Sequence, residues 1–300
     1  MTLYNQVSKN VQRTWILMIL FLVFIIGLGW LFATIYDDPF ILYIAIMFSI
    51  LYNFFSYWYS DKIILTMAGA KLIKKSDNPE LYRLVENLSI TAGLPLPKIY
   101  IIEEAQPNAF ATGRDKNHAV IAVTRGLLEK LERIELEGVI AHELAHIGNR
   151  DILLSTIIVV LVGFIAILSD LFLRISFMGG FKKDNHRDPR IQMILIIVGL
   201  VAAILAPIAA ILIQLAISRK REFLADASGA LITRYPEGLA RALEKISSDS
   251  TPLKKACNST AHLYISNPFK EEKSKSWFTK LFLTHPPVKE RTAALRGMKT

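Results

Sequence analysis

The chain holds one cysteine, Cys257, in 300 residues. A single thiol excludes an intramolecular disulfide framework and suits a reducing compartment, and we read it as inert. Histidine is scarce too, with six in the chain, so a pair at ligand spacing stands out. Charge is missing altogether from two long stretches, residues 15–36 and 40–59. No repeat of solenoid period is present, and no nucleic-acid-binding motif accompanies the formal net charge of +9. Lysine and arginine flank apolar runs instead, which points to anionic lipid headgroups and away from nucleic acid.

Hydrophobic residues nevertheless make up 52% of the chain while charged residues still reach 20%. Such an average implies two regimes, apolar spans interleaved with a soluble part. At about 1.5 Å per helical residue, each of the two uncharged stretches crosses a hydrocarbon core of roughly 30 Å. Only Asp37, Asp38 and Pro39 separate them, so residues 1–60 are expected to form a transmembrane hairpin. Trp15, Tyr36, Trp58 and Tyr59 supply aromatic anchors near its ends. The first stretch is longer than a signal-peptide core and lacks a small-residue cleavage site. Lys9 and Arg13 precede the hairpin, Lys62, Lys71, Lys74 and Lys75 follow it, and the turn is acidic. The positive-inside rule then places both outer flanks in the cytoplasm, on the inner face of a cell membrane.

Two further apolar runs cover residues 152–172 and 191–217, the first with Asp170 and the second with Gln192, Pro207 and Gln214. The loop between them carries Lys182, Lys183, Arg187 and Arg190 against Asp184 and Asp188. A spanning hairpin would put this basic loop outside, against the charge rule. The alternative is an apolar pair packed partly on the soluble domain. Length favours spanning.

The soluble part is split by that pair. Residues 61–151 contain a helix from an Asn78 cap, a strand over 98–103, a second strand over 118–124, and helices over 125–131 and 135–147. The strands are joined by the stretch around Asn108 and Gly113. Residues 218–300 contain helices over 222–233, 236–247 and 286–295, the last capped by Thr284 or His285, and a polar loop over 266–276. The fold expected is predominantly α with a small β-sheet, in an integral membrane protein built on helical hairpins.

His142-Glu143-Leu144-Ala145-His146 carries the chemistry. Histidines four apart lie on one helix face and can hold one ion, with Glu143 aimed at water on that ion. Zinc suits imidazole ligands and an open position, and it lowers the pKa of bound water towards about 7. Two histidines leave zinc short of a protein ligand. Glu222 and Asp226, four apart after Arg221, offer a carboxylate ligand and a carboxylate to orient an imidazole.

Three stretches together resemble a known family: residues 142–151 (HELAHIGNRD), 221–226 (REFLAD) and 107–113 (PNAFATG). They are similar to the HtpX heat-shock proteases of bacterial membranes, within a broader group that includes the CAAX prenyl proteases. The resemblance runs over nearly the whole chain. It implies a gluzincin-like metalloprotease domain with one zinc ion on His142, His146 and Glu222, and with Glu143 as general base and proton donor. It implies that Asn108 lines the substrate cleft beside an edge strand formed by residues 118–124. His285, in His285-Pro-Pro-Val-Lys-Glu-Arg291, would help hold the oxyanion, and Arg291 would buttress the site. The substrates it implies are misfolded or damaged membrane proteins, bound extended. Thr292 departs from the apolar residue expected on the last helix.

Two other readings remain open on sequence. A specialised processing protease of the CAAX type calls for a large chamber built from more spans. A non-enzymatic scaffold or transporter calls for charges within the spans, and the first two have none.

Overall fold

The computed structural model describes residues 3–180, 219–249, 251, 260, 263–265 and 286–298. The second apolar run at 191–217, the basic loop before it, the polar loop at 266–276 and His285 lie outside the described residues.

Two long helices open the chain, α1 (Leu3–Tyr36) and α2 (Phe40–Ala68). Asp37 at φ 51° turns the chain between them, and the Asp38 carboxylate accepts the Phe40 N–H at 2.9 Å. After α2 come β1 (Ala70–Leu72), α3 (Pro79–Thr91), β2 (Lys98–Ile102), β3 (Ala109–Thr112), β4 (Val120–Thr124) and α4 (Arg125–Lys130). Then follow α5 (Arg133–Gly148) and α6 (Asp151–Gly180). Beyond the second apolar run lie α7 (Arg219–Thr233), α8 (Pro236–Ser248) and α9 (Val288–Arg296).

Helix starts are fixed by local chemistry. Asn78 accepts the Leu81 N–H and Thr124 accepts the Leu127 N–H, relieving donors that the first helical turn leaves unpaired. At the head of α5 the Glu135 carboxylate reaches back to the Glu132 N–H at 2.9 Å. The last helix begins later than its sequence suggests, with Pro287 as its N-cap and no side-chain cap bond.

The four strands form one mixed sheet in the order β1-β2-β4-β3. β2 runs parallel to β4, and β1 and β3 are antiparallel to their neighbours. This corrects one expectation. Residues 118–124 do not form an edge: β4 lies inside the sheet, and the edge beside it is β3, within the stretch read as a connection. Every residue of β4 is buried, because both faces of the sheet are covered. One face, with Ala109, Ala111, Ile121 and Val123, packs on α3, α5 and α8 through Val85, Leu88, Ile140, Leu144 and Leu243. The other, with Phe110, Val120 and Ala122, meets Ile64, Leu65 and Ala68 of α2 and Val159 of α6. Each of the valine, leucine, isoleucine and phenylalanine side chains among them contributes roughly 1.5–3 kcal/mol when fully buried. The sheet is therefore a layer between the long apolar helices and the soluble helices.

Among the described residues three helices are long and apolar enough to cross a membrane: Ser8–Thr34, Phe40–Ala68 and Asp151–Leu168. They pack as a bundle. Leu17, Phe21 and Ile25 of α1 meet Leu154, Ile158, Leu161 and Ile165 of α6, while the Tyr52 hydroxyl of α2 donates to Val160 O at 2.9 Å. α6 also touches the sheet: Thr112 Oγ1 is 2.9 Å from Thr156 Oγ1, which also accepts the Gly113 N–H. Its first half thus enters an apolar bundle and also packs on the soluble part.

Candidate metal centre

α5 is an unusual helix for a soluble face. From Gly138 to Ala145 every residue is buried, so His142 is held by packing on all sides, while His146 at the end of that stretch is partly exposed. His142 and His146 present their Nε2 atoms to each other at 3.1 Å, with ring planes at 89°. α7 crosses beside them. Glu222 places Oε1 3.6 Å from His146 Nε2 and Oε2 3.9 Å from His142 Nε2. The close crossing depends on Gly229, whose missing side chain lets α7 lie against the His142 backbone.

The three donors lie within 4.8 Å of one another. Two imidazole nitrogens at this distance share either a proton or a cation. A tetrahedral zinc with ligand bonds of about 2.0–2.1 Å separates its donors by about 3.3 Å. The observed spacings of 3.1, 3.6 and 3.9 Å bracket that value. The donor set fits the metal.

Each donor is held from behind. Asp226 Oδ1 stands 3.0 Å from His142 Nδ1, off the ideal hydrogen-bond line. Arg291, 1% exposed, comes from α9 and grips Asp226 with both arms, Nε to Oδ2 at 2.8 Å and Nη2 to Oδ1 at 2.6 Å. The same guanidinium lies 3.6 Å from Glu222 Oε2 and donates to Ile265 O at 3.3 Å. Burial alone would raise the Asp226 carboxyl, but the Arg291 charge offsets this and holds it below the usual range. Burial likewise pushes His142 below its ordinary value, which keeps it neutral and free to act as a ligand. His146 differs. Burial works against its charge, yet the bond to Asp151 and the nearby Glu222 push it up to about 9. Asp151 Oδ2 is 3.1 Å from His146 Nδ1.

Glu143 is buried beside the pair, and desolvation pushes its carboxyl up to about 7. The carboxylate accepts the Ala111 N–H, an outward-facing group of edge strand β3. Asn108 lies at the head of β3, fully buried, with its N–H on Thr124 Oγ1. Next to it Ala109 O accepts the Ile265 N–H at 3.0 Å.

The structure thus brings together His142, Glu143, His146, Glu222, Asp226 and Arg291, and sets Asn108 on the adjoining strand. Thr292, the apolar position that departs from expectation, is buried with its hydroxyl on Lys289 O. Sequence reasoning assigned no role to Asp151, Arg221 or Asn10. A carboxylate opening an apolar span and an arginine beside a ligand were the available signals for the first two. Asn10 gave none.

The sequence profile of peptidase family M48 matches residues 75–299. A protease HtpX homolog of Caldanaerobacter subterraneus subsp. tengcongensis is 44% identical over 300 residues, covering 99% of this chain and 98% of that one. One from Tropheryma whipplei strain Twist is 45% identical over 296 residues, with the same two coverages. One from Syntrophobacter fumaroxidans is 48% identical over 257 residues, covering 85% of this chain and 89% of that one. Among solved structures, that of S. mikatae Ste24p matches with a TM-score of 0.50 at 21% identity, over 94% of this chain and 66% of that one. This last likeness concerns the fold alone. The chain belongs to peptidase family M48 and is a metalloendopeptidase that carries membrane helices.

Proposed function

We propose that this protein is a zinc-dependent endopeptidase working at the cytoplasmic face of the membrane, with His142, His146 and Glu222 as ligands and Glu143 as general base. The observation that carries the reading is the convergence of the three donors beside a buried carboxyl poised near 7. When bound, zinc polarises the scissile carbonyl and acidifies a water molecule. A carboxyl of this kind takes a proton from attacking water and returns it to the leaving amine at neutral pH. Asp226 and Arg291 keep the His142 imidazole in place while this happens. His285 stands just ahead of α9, the helix that brings Arg291 to the site, and is proposed to help hold the oxyanion.

The substrate chain lies extended along β3, beside Asn108, replacing Ile265 as the partner of Ala109. Misfolded or damaged membrane proteins are the proposed substrates. Two features support this. The helix bearing the histidines runs into α6 with only Asn149 and Arg150 between them, so the site stands within a turn or two of an apolar span. The basic flanks Lys9, Arg13, Lys62, Lys71, Lys74 and Lys75 belong to the same end of the hairpin, as cytoplasmic placement requires.

The test pairs Glu143→Gln with metal analysis of the purified full chain. About one zinc ion per chain and chelator-sensitive cleavage of an unfolded protein are expected of the parent. The mutant should keep its zinc and lose cleavage, and unchanged proteolysis would sink the mechanism. Glu222→Ala should release zinc. Tight retention would assign the third ligand elsewhere.

A further inference from the structure

At the membrane end of α1, just ahead of its uncharged stretch, lies Asn10, 1% exposed. Its amide nitrogen donates to Asp151 Oδ1 at 2.6 Å and to Asn149 O at 3.2 Å. Its amide oxygen accepts from Arg221 Nη1 at 3.4 Å. Only this orientation satisfies all three neighbours, because a carboxylate and a carbonyl can only accept and a guanidinium can only donate. The other oxygen of Asp151 is the one facing His146 Nδ1 at 3.1 Å. Arg221 Nε stands 3.8 Å from Asp151 Oδ1 and is the residue immediately before Glu222. One side chain of the first membrane helix therefore bridges the end of α5, the start of α6 and the start of α7.

We propose that Asn10 is a positioning residue of the metal centre: from membrane helix α1 it fixes the Asp151 carboxylate, and through it the imidazole of His146. Asp151 has two oxygens and two tasks. With Asn10 holding Oδ1, rotation of the carboxylate away from His146 breaks a short charge-assisted bond in a buried setting. Without Asn10, Oδ1 has the nearby Arg221 as its remaining partner, and turning towards that guanidinium draws Oδ2 off the histidine. The residue lies outside the region 75–299 that matches the family profile, so the catalytic part of the chain is completed by its membrane anchor. Partners behind a ligand are worth about 10–100-fold in metal affinity.

This rests on His146 being a ligand, and the two claims fail separately. The assay is the apparent zinc dissociation constant of the detergent-solubilised full chain, by competition with a chromogenic chelator. The visible bands of the cobalt-substituted protein report ligand geometry alongside it. Asn10→Leu keeps the bulk and removes the amide; zinc binding should weaken by about tenfold or more, with a shift in the cobalt bands. Thr14→Val, one turn along the same buried face, loses only a bond to Asn10 O and should stay within about twofold of the parent. If Asn10→Leu does not fold, Asn10→Ala takes its place, with a smaller loss because water can occupy the space. The proposal is overturned if the Asn10 variants bind zinc as tightly as the parent, or if Thr14→Val weakens binding as much. Parental affinity in His146→Ala would instead remove the ligand assignment itself.

Discussion

Gly229→Ala tests whether the α5–α7 crossing sets the metal geometry. A Cβ at Gly229 would lie 3.0 Å from His142 N, 3.1 Å from His142 Cα and 3.2 Å from Ala141 C. Comfortable carbon contacts begin at about 3.5 Å, and all three neighbours are backbone atoms of a helix buried on every side. They cannot turn away as a side chain would, so α7 must retreat by about half an ångström. Asp226 lies one turn before Gly229 and Glu222 two turns before, and both move with it. Metal sites tolerate deviations of about 0.2 Å in ligand distance, so the retreat exceeds what the site can absorb. In stability, alanine gains about 0.8–1.0 kcal/mol of helix propensity, while overpacking costs about 1–3 kcal/mol. The balance is a loss of up to about 2 kcal/mol, with zinc affinity reduced by about tenfold or more.

The control is Gly148→Ala, where the new methyl meets only Leu94 Cδ1 at 3.9 Å. It should be neutral or stabilising by up to about 1 kcal/mol, with zinc affinity unchanged. Thermal unfolding in detergent and chelator competition read both variants. A Gly229→Ala protein as stable as the parent, with parental zinc affinity, would refute the claim that this glycine sets the spacing.

Arg291→Ala leaves the Asp226 carboxylate buried with its two-armed partner gone, and breaking such a pair costs about 3–5 kcal/mol; Arg291→Lys should recover only part, because a point charge cannot replace the fork. Denaturation of the purified chain measures both, and a loss under about 1 kcal/mol in Arg291→Ala would show that Asp226 finds another partner. Thr156→Val strands the buried hydroxyl of Thr112 and the Gly113 N–H, at a cost of about 1–3 kcal/mol. Faster proteolytic nicking around Gly113 should accompany it, and unchanged stability would mean α6 does not brace the sheet edge.

The donor set was legible because a helix writes its faces locally. His142 and His146, then Glu222 and Asp226, are each four apart, and that spacing survives into the structure as one donor set with its support. The sheet edge was different: the family resemblance implied it at residues 118–124, while the pattern of those residues argues for an inner strand. Residues 120–124 (VIAVT) are an unbroken apolar run. An unbroken apolar run signals a strand covered on both faces, hence a central one. Ala109–Thr112 is only four residues long and also buried on both faces, so it lacks the alternation that marks a half-buried strand. The link from Asn10 to Asp151 and Arg221 joins positions far apart in the chain through single polar atoms. No periodicity records such a contact.

Charge explains why these distant residues had to meet. Four carboxylates (Glu143, Asp151, Glu222 and Asp226) and two guanidinium groups (Arg221 and Arg291) are all under a tenth exposed. Among the described residues of the site, counted as ionised, four negative charges less two positive ones leave an excess of two, with both histidines taken as neutral. An interior cannot carry that excess cheaply, since each unpaired ion costs several kcal/mol to desolvate. Its mark is visible on Glu143, pushed up to about 7 by burial and by the charge of Glu222, and on His146, pushed up to about 9 against its own burial. One divalent cation at the donor set cancels the excess. Two further arginines would also cancel it, but they would leave nothing to hold the metal. Arg291 grips Asp226 and Arg221 stands 3.8 Å from Asp151, both carboxylates behind the histidines, and although Arg291 also lies 3.6 Å from Glu222 Oε2, the two guanidinium groups leave the remaining charge for the ion.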